Sequence, residues 1–314
     1  MRASALRSLW RSSPPLTATG VLMLVVAVAT VVAAIVDPRS IAGAPAWLKP
    51  LKFAMSTAIY SLTLAWVLGH LRSRSRLRGL VAWTTAGVFV LEVAIIDLQA
   101  WRGTTSHFNA SSPLDATLFA VMGIGIGLQT LASVWVAVML WRQPFTNRVL
   151  GSALRWGMTL TIAGALVGPL MTMPTGVQLE RARAGLGMPT VGAHTVGAPD
   201  GGAGLPVTGW SREYGDLRIP HFVGLHAIQV LGILALLLPR LVPTERRRLR
   251  LLHAVTASYG TAFLLLLAMA LRGDSPLSPS APSLAVLLLW GTATTAAVLW
   301  VGLTGNSSNR RSIA

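Results

Sequence analysis

Cysteine is absent from this chain of 314 residues, which excludes a disulfide framework, a cysteine nucleophile and any thiolate metal site. Charge is scarce as well: charged residues make up 11% of the chain, and only 10 are acidic. With 53% hydrophobic residues and a mean hydropathy of +0.61, that scarcity excludes an ordinary soluble globular domain. A formal charge of +16 would suit nucleic acid if the 26 basic residues formed one surface patch. They punctuate the apolar runs instead, so no nucleic-acid partner is expected and the lipid bilayer takes that place. Paired-carboxylate chemistry also finds little support. Glu92 and Asp97 are five residues apart, about 140° around a helix, and do not share a face.

What the chain has in abundance is long apolar runs. A bilayer core needs roughly 20 mainly apolar residues as helix. Windows of that length fall near 17 to 36, 51 to 70, 80 to 99, 116 to 141, 152 to 173, 221 to 242, 251 to 271 and 283 to 303. The first exceeds the roughly 7 to 15 apolar residues of a signal peptide and is read as a span. The fold class expected is therefore all-α, an integral membrane helical bundle of about eight transmembrane helices. Its parts are a basic cytoplasmic N-terminus over 1–16, the bundle over 17–303 and a cytoplasmic tail over 304–314. Placing the N-terminus inside puts 17 of the 26 basic residues in the cytoplasm, among them Arg2, Arg7, Arg11, Arg72 to Arg78, Arg246 to Arg250, Arg310 and Arg311. The positive-inside rule then predicts both termini cytoplasmic.

The outer connections are unequal. Residues 174–220 form a long extracytoplasmic stretch rich in Gly and Pro, without clear periodicity, which reads as a disordered linker or a functional lid. Trp210, Tyr214, Arg212, Glu213, Asp216 and Arg218 argue for order in its second half. Two glycine signals also stand out. Gly123 and Gly127 read as a small-xxx-small pair for close helix packing, and Gly168-Pro169 as a break in the fifth span.

Polar residues gather at the outer ends of two spans. By helix rise Glu92 lies about 10 Å below the interface, and His226 and Gln229 about 7 and 12 Å. Glu92, Gln99 and Arg102 share a helix face. An ionised acid at mid-membrane costs about 2.5 to 3.5 kcal/mol, so Glu92 is expected to face the interior with a partner, for which Arg102 or a metal is the candidate. Imidazole nitrogens and a carboxylate suit zinc or another divalent ion, which makes His107, His221, His226 and Glu92 the candidate ligands. His221 and His226 can share an ion only if His221 lies in non-helical chain. His70 and His253 fall near the opposite side, which argues against a bis-histidine haem.

Three segments carry a resemblance: Trp47-Leu48-Lys49-Pro50-Leu51-Lys52-Phe53, then Gln99-Ala100-Trp101-Arg102-Gly103-Thr104-Thr105-Ser106-His107-Phe108-Asn109, then the run from His194 through Asp216 to His221-Phe222-Val223-Gly224-Leu225-His226-Ala227-Ile228-Gln229. Together they resemble a functionally unassigned family of bacterial polytopic membrane proteins. The resemblance covers roughly the second to the sixth span, implies that the long outer loop is a patterned element, and transfers no catalytic residue.

The function expected from the residues is an outward-facing pocket roofed by residues 174–220. Glu92, Arg102, His107 and His226 are its candidate catalytic groups, with Gln99, Asn109 and Gln229 in support. In a metal-dependent membrane enzyme this pocket acts on a lipid or small molecule, with a metal-activated water as nucleophile. In a proton- or ion-coupled small-solute transporter, Glu92 is the titrating group. A membrane sensor or assembly partner is the third reading.

Overall fold

A computed structural model describes residues 3–72 and 76–304. Arg2, Arg74, Arg310 and Arg311, counted above among the inner basic residues, lie outside the described residues, as does the tail from 305 onward. In chain order the helices are α1 (Ala3–Ser12), α2 (Pro14–Val36), α3 (Leu48–Gly69), α4 (Arg76–Trp101), α5 (Pro113–Arg142), α6 (Arg148–Ala165), α7 (Gly168–Met171), α8 (Gly176–Arg183), α9 (Arg218–Leu225), α10 (Ala227–Leu241), α11 (Glu245–Leu271) and α12 (Ala281–Thr304). Two antiparallel pairs of two-residue strands complete the described secondary structure, β1 (Ser40–Ile41) with β2 (Ala44–Pro45) and β3 (Thr195–Val196) with β4 (Gly215–Asp216). Among the described residues eight helical segments are long and apolar enough to cross a membrane. The chain is all-α, a multi-spanning membrane protein.

The chain divides into two compact units, one of residues 1–139 and 172–193, the other of residues 140–171 and 194–314. In the first, α2 packs along α3, and both meet α4. Met23, Ala58 and Val93 form one apolar cluster with Val26 and Phe53, while Ile95, Ile96 and Met122 form a second with Phe53 and Leu118. Phe53 belongs to both, so the α3 segment carrying the Lys-Pro-Leu-Lys-Phe motif is wedged where α3, α4 and α5 meet. Local chemistry sets the helix starts. Pro14 opens α2, where its missing N–H costs nothing. Thr175 and Gln178 cap α8 reciprocally, the Thr175 N–H donating to Gln178 Oε1 at 3.0 Å and the Gln178 N–H to Thr175 Oγ1 at 3.3 Å.

In the second unit α6 packs against α9 and α10, with α11 against all three and α12 against α11. Backbones touch along the first of these contacts. A Cβ on Gly164 would come within 2.5 Å of the Gly224 carbonyl carbon, and one on Gly157 within 2.9 Å of Ile228 Cα, so only glycine fits at either place. The small-residue contact is therefore here and not at Gly123 and Gly127, where an added Cβ meets nothing within 4 Å. Spacing alone does not distinguish a glycine facing a helix from one facing lipid.

Both of these helices are interrupted. α6 ends at Ala165 and α7 resumes at Gly168, as Gly168-Pro169 suggests, and α9 gives way to α10 at His226. Backbone groups freed inside a membrane must find partners in the protein. The Leu225 carbonyl accepts from Thr161 Oγ1 at 3.3 Å, the Ile228 N–H donates to the same oxygen at 3.3 Å, and the Val223 carbonyl accepts from Tyr259 Oη at 2.5 Å. The Gly164 carbonyl at the end of α6 accepts from His221 Nδ1 at 2.7 Å.

Residues 174–220 are patterned rather than disordered. Within the first unit, residues 189–191 lie along 108–110: the Ala110 N–H donates to the Pro189 carbonyl and the Val191 N–H to the Phe108 carbonyl, both at 2.9 Å. Gln178 holds Gly192 through its backbone N–H and carbonyl, each at 2.9 Å. Within the second unit the fully buried Asp216 pairs with Arg218 at 2.6 Å and accepts the Ser211 N–H at 2.8 Å.

Candidate functional site

The structure assigns Glu92, Gln99, Arg102, His107 and Asn109 to the first unit and His221, His226 and Gln229 to the second.

In the first unit most of the polar motif is engaged in building its own loop. Its centre is Asp115, which the sequence reading missed. Asp115 Oδ1 accepts from Gln99 Nε2 at 2.8 Å and from Arg102 Nη1 at 2.6 Å, and Arg102 also donates to Gln99 Oε1. Ser112 Oγ donates to Asp115 Oδ2 at 2.5 Å, and the Asp115 N–H returns to Ser112 Oγ at 3.2 Å. Ser112 thus caps α5 through its hydroxyl, with Pro113 in the first turn and an acid at the positive end of the helix. Asn109 ties the loop from the other side, donating to Thr104 Oγ1 and the Thr105 carbonyl at 2.9 Å each and accepting from Ser111 Oγ at 2.6 Å. Arg102 is thus the partner of Asp115 and not of Glu92. Asp97, on the same stretch of α4, has a buried Oδ1 that accepts no hydrogen bond.

Glu92 stands apart from that network. It is 5% exposed, and its Oε1 lies 3.7 Å from His107 Nε2. Its Oε2 is buried with no hydrogen-bond partner. His107 Nδ1 lies 3.1 Å from Ser106 Oγ. The imidazole sits among rings, with centroids 5.3 Å from Phe53, 6.3 Å from Phe108 and 6.3 Å from Phe119. Lys49, one turn before Phe53 on α3, is the cation that acts electrostatically on Glu92, and its Nζ lies 5.8 Å from the Phe53 ring centroid. Phe108 adopts a left-handed backbone, φ 60°, unusual for a bulky residue. The turn sends its ring edge-on against Phe119, centroids 5.8 Å apart, while its backbone carbonyl holds Val191. Segment 189–191 therefore pins the loop that carries His107, which is the part of the expected roof that this unit supplies.

In the second unit the histidines have other duties. His221 lies within helix α9 and donates Nδ1 to the Gly164 carbonyl, so the condition for sharing an ion with His226 fails. His226 is the joint between α9 and α10. Its ring is 4.2 Å from that of Phe222, which in turn is 5.4 Å from Trp210, and its side chain is hydrogen-bonded to Gln229. Within either unit, among the described residues, no group of three or more His, Asp or Glu is arranged to hold a metal ion. His194, in the outer loop, binds Asp200 at 3.0 Å.

Sequence spacing identified Glu92, Gln99, Arg102 and His107 but not Asp115, Ser106 or the ring cage. The run Ser112-Pro113-Leu114-Asp115 before an apolar stretch was a capping signal for Asp115. No known protein family, curated protein or solved structure matches this chain.

Proposed function

We propose that this multi-spanning membrane protein is a proton-coupled small-solute transporter of a bacterial cytoplasmic membrane, with Glu92 and His107 as its proton-exchanging pair on the outer side. One observation carries the reading. Of the polar residues gathered at the outer end of α4, Glu92 and Asp97 each have a buried carboxylate oxygen that no structural bond uses, and Glu92 is the one with an imidazole beside it, inside a span where an idle charge is costly. At 3.7 Å from His107 Nε2 it is too far for a direct hydrogen bond and close enough for one to form on a small movement or through water. A proton arriving at His107 passes to Glu92 and neutralises it, and loss of that proton restores the buried charge. Ser106 holds the far side of the imidazole during the exchange. The interrupted helices α6–α7 and α9–α10 fit the same class, since transporters place breaks in spans whose backbone groups the protein itself satisfies.

A metal-activated water acting on a lipid or small molecule needs three donors around one ion. Neither unit groups three among its described residues, so the donor sets favour transport.

Proteoliposomes loaded with a pH-sensitive dye test the proposal under an imposed pH gradient, with a panel of amino acids, organic anions and amphipathic cations outside. Solute-dependent proton flux is expected from the parent protein and not from Glu92→Gln. Full flux in Glu92→Gln rejects the assignment.

A further inference from the structure

Among the described residues of the first unit six side-chain oxygens are buried with no hydrogen-bond partner: Glu92 Oε2, Thr85 Oγ1, Ser61 Oγ, Gln129 Oε1, Asp97 Oδ1 and Ser13 Oγ. Thr85 and Ser61 are fully buried and Gln129 is 6% exposed. A hydroxyl on a membrane helix has an easy partner in the carbonyl four residues back. Thr63 and Thr130 take it, donating to Ile59 and Ile126 at 2.7 and 2.9 Å. Thr85 and Ser61 do not. Leaving one such group unsatisfied costs about 1–3 kcal/mol; Asp97 is turned about 140° from Glu92 on α4, and the other four on α3, α4 and α5, Glu92, Thr85, Ser61 and Gln129, need a common explanation.

Their placement supplies it. Glu92 and Thr85 are seven residues apart on one face of α4, about 10 Å along its axis. Phe89, between them on that face, meets Tyr60 of α3 edge-on with ring centroids 5.5 Å apart. Tyr60 Oη lies 2.9 Å from Ser133 Oγ of α5. Ser133 gives its single proton to the Gln129 carbonyl at 3.1 Å, so Tyr60 donates to Ser133, as Gln129 Nε2 does at 3.2 Å. Gln129 is also a hydrogen-bond partner of Tyr60, so it is Gln129 Oε1 that keeps free acceptor capacity in the middle of the α3–α4–α5 core. Ser61 adds a further hydroxyl one residue along α3. Water is the ligand that fits such a set: it is small, donates and accepts, and settles where two to four polar groups surround it.

We propose that the α3–α4–α5 core binds a file of water molecules that runs from Glu92 past Tyr60 to Thr85, and that this file is the route by which protons pass between Glu92 and the inner half of the membrane. The water file stands independently of the transport reading; its use as a proton route rests on that reading. Along it each oxygen takes one proton and releases another, so Tyr60, Ser133 and Thr85 end unchanged and the net proton resides on Glu92. The file provides a path where the inner halves of the spans offer few ionisable residues.

Hydroxyl-radical labelling of the full chain in phospholipid nanodiscs, with radicals generated from water by a synchrotron pulse, tests the file. The expected result is labelling of Tyr60 and Phe89, corrected for intrinsic reactivity, several-fold faster than that of Met23, which is 2% exposed and packed against Ala58 and Val93. Thr85→Val replaces the hydroxyl by a methyl of similar size and is expected to slow Phe89 labelling several-fold, while Thr85→Ser preserves it. Labelling of Tyr60 and Phe89 no faster than Met23 in the parent protein overturns the proposal without recourse to any variant. If labelling is fast but the parent protein moves no protons, or Glu92→Gln moves them fully, the file stands and the transport reading falls. If labelling is fast and the flux of the parent protein survives intact in Thr85→Val, the file is not the route. A several-fold loss of flux in Thr85→Val, restored in Thr85→Ser, supports both.

Discussion

Glu92 and Arg102 look alike in the sequence, two charged residues near the outer end of one helix, and the structure gives them opposite economies. Arg102 is bonded to Asp115, whose side chain is only 6% exposed. Truncating Arg102 leaves that carboxylate buried and unpaired. Arg102→Ala is expected to destabilise the protein by about 3 kcal/mol, the low end for a broken buried pair because the arginine side chain is 29% exposed. Glu92→Gln, by contrast, removes a buried charge that lacks a hydrogen-bonded partner. It is expected to melt at the same or a higher temperature while losing proton flux, the pattern of a residue kept for function at a cost in stability. Tryptophan-fluorescence melts of the two variants in one detergent check both; a Glu92→Gln variant that melts as low as Arg102→Ala makes Glu92 a structural residue. Helix periodicity was enough to put Glu92, Gln99 and Arg102 on one face. It was not enough to assign their partners, because Asp115 lies 16 residues beyond Gln99 and 13 beyond Arg102, across a turn whose path depends on Gly103 at φ 75° and Phe108 at φ 60°.

At the scale of elements, hydropathy located the spans well because length and apolarity decide them. Which glycines carry contacts depends on facing direction, which hydropathy does not carry. Gly164→Ala drives a methyl group into the backbone of Gly224 and is expected to cost about 1–3 kcal/mol, and more if the chain cannot shift. Gly123→Ala meets nothing and is expected to be neutral or to stabilise by up to about 1 kcal/mol through helix propensity. Equal melting shifts for the two would contradict the assignment of contact faces. The outer loop shows a second limit. Its glycines and prolines suggest a linker, while its order comes from acids bonded to backbone N–H groups. Asp200 is an instance. Burial pushes its carboxyl up, but the His194 ring and backbone and the Thr195 N–H outweigh that and hold it well below the usual carboxylate range. A carboxyl lowered in the folded state stabilises fully above its unfolded value of about 3.9 and loses that contribution only as pH falls toward the lowered value. Protection of the Thr195 and Val196 amides against hydrogen exchange, corrected for intrinsic rate, is therefore expected to persist from pH 7 to below pH 4 and then to fall. In Asp200→Asn it is expected to be weaker at neutral pH and to lack the acid step.

For the whole molecule the side of the membrane that each loop faces is predicted from the distribution of arginine, by a physical rule rather than by contacts. The short α5–α6 connection is flanked by Arg142 and Arg148. Arg155 donates to the Leu140 and Gln143 carbonyls beside it, at 3.0 and 2.6 Å, with its guanidinium 5.6 Å from the Trp141 ring centroid and 5.4 Å from that of Phe145. A cation held among interfacial aromatics at a basic, compact loop is what an inner membrane face requires. The α8–α9 stretch, with its few cations and its acids bonded to backbone, is suited to the outer face. Because the chain has no cysteine, single substitutions can be read directly. Thr146→Cys and Ala203→Cys, both at exposed loop positions, are expected to behave oppositely toward a membrane-impermeant maleimide. Ala203→Cys is labelled in intact spheroplasts, and Thr146→Cys only after permeabilisation. The reverse pattern would turn Glu92 and His107 toward the cytoplasm and, with them, the direction in which the proton pair loads. Labelling of both in intact spheroplasts would mean that an even number of segments crosses between them, and the count of eight spans would fail.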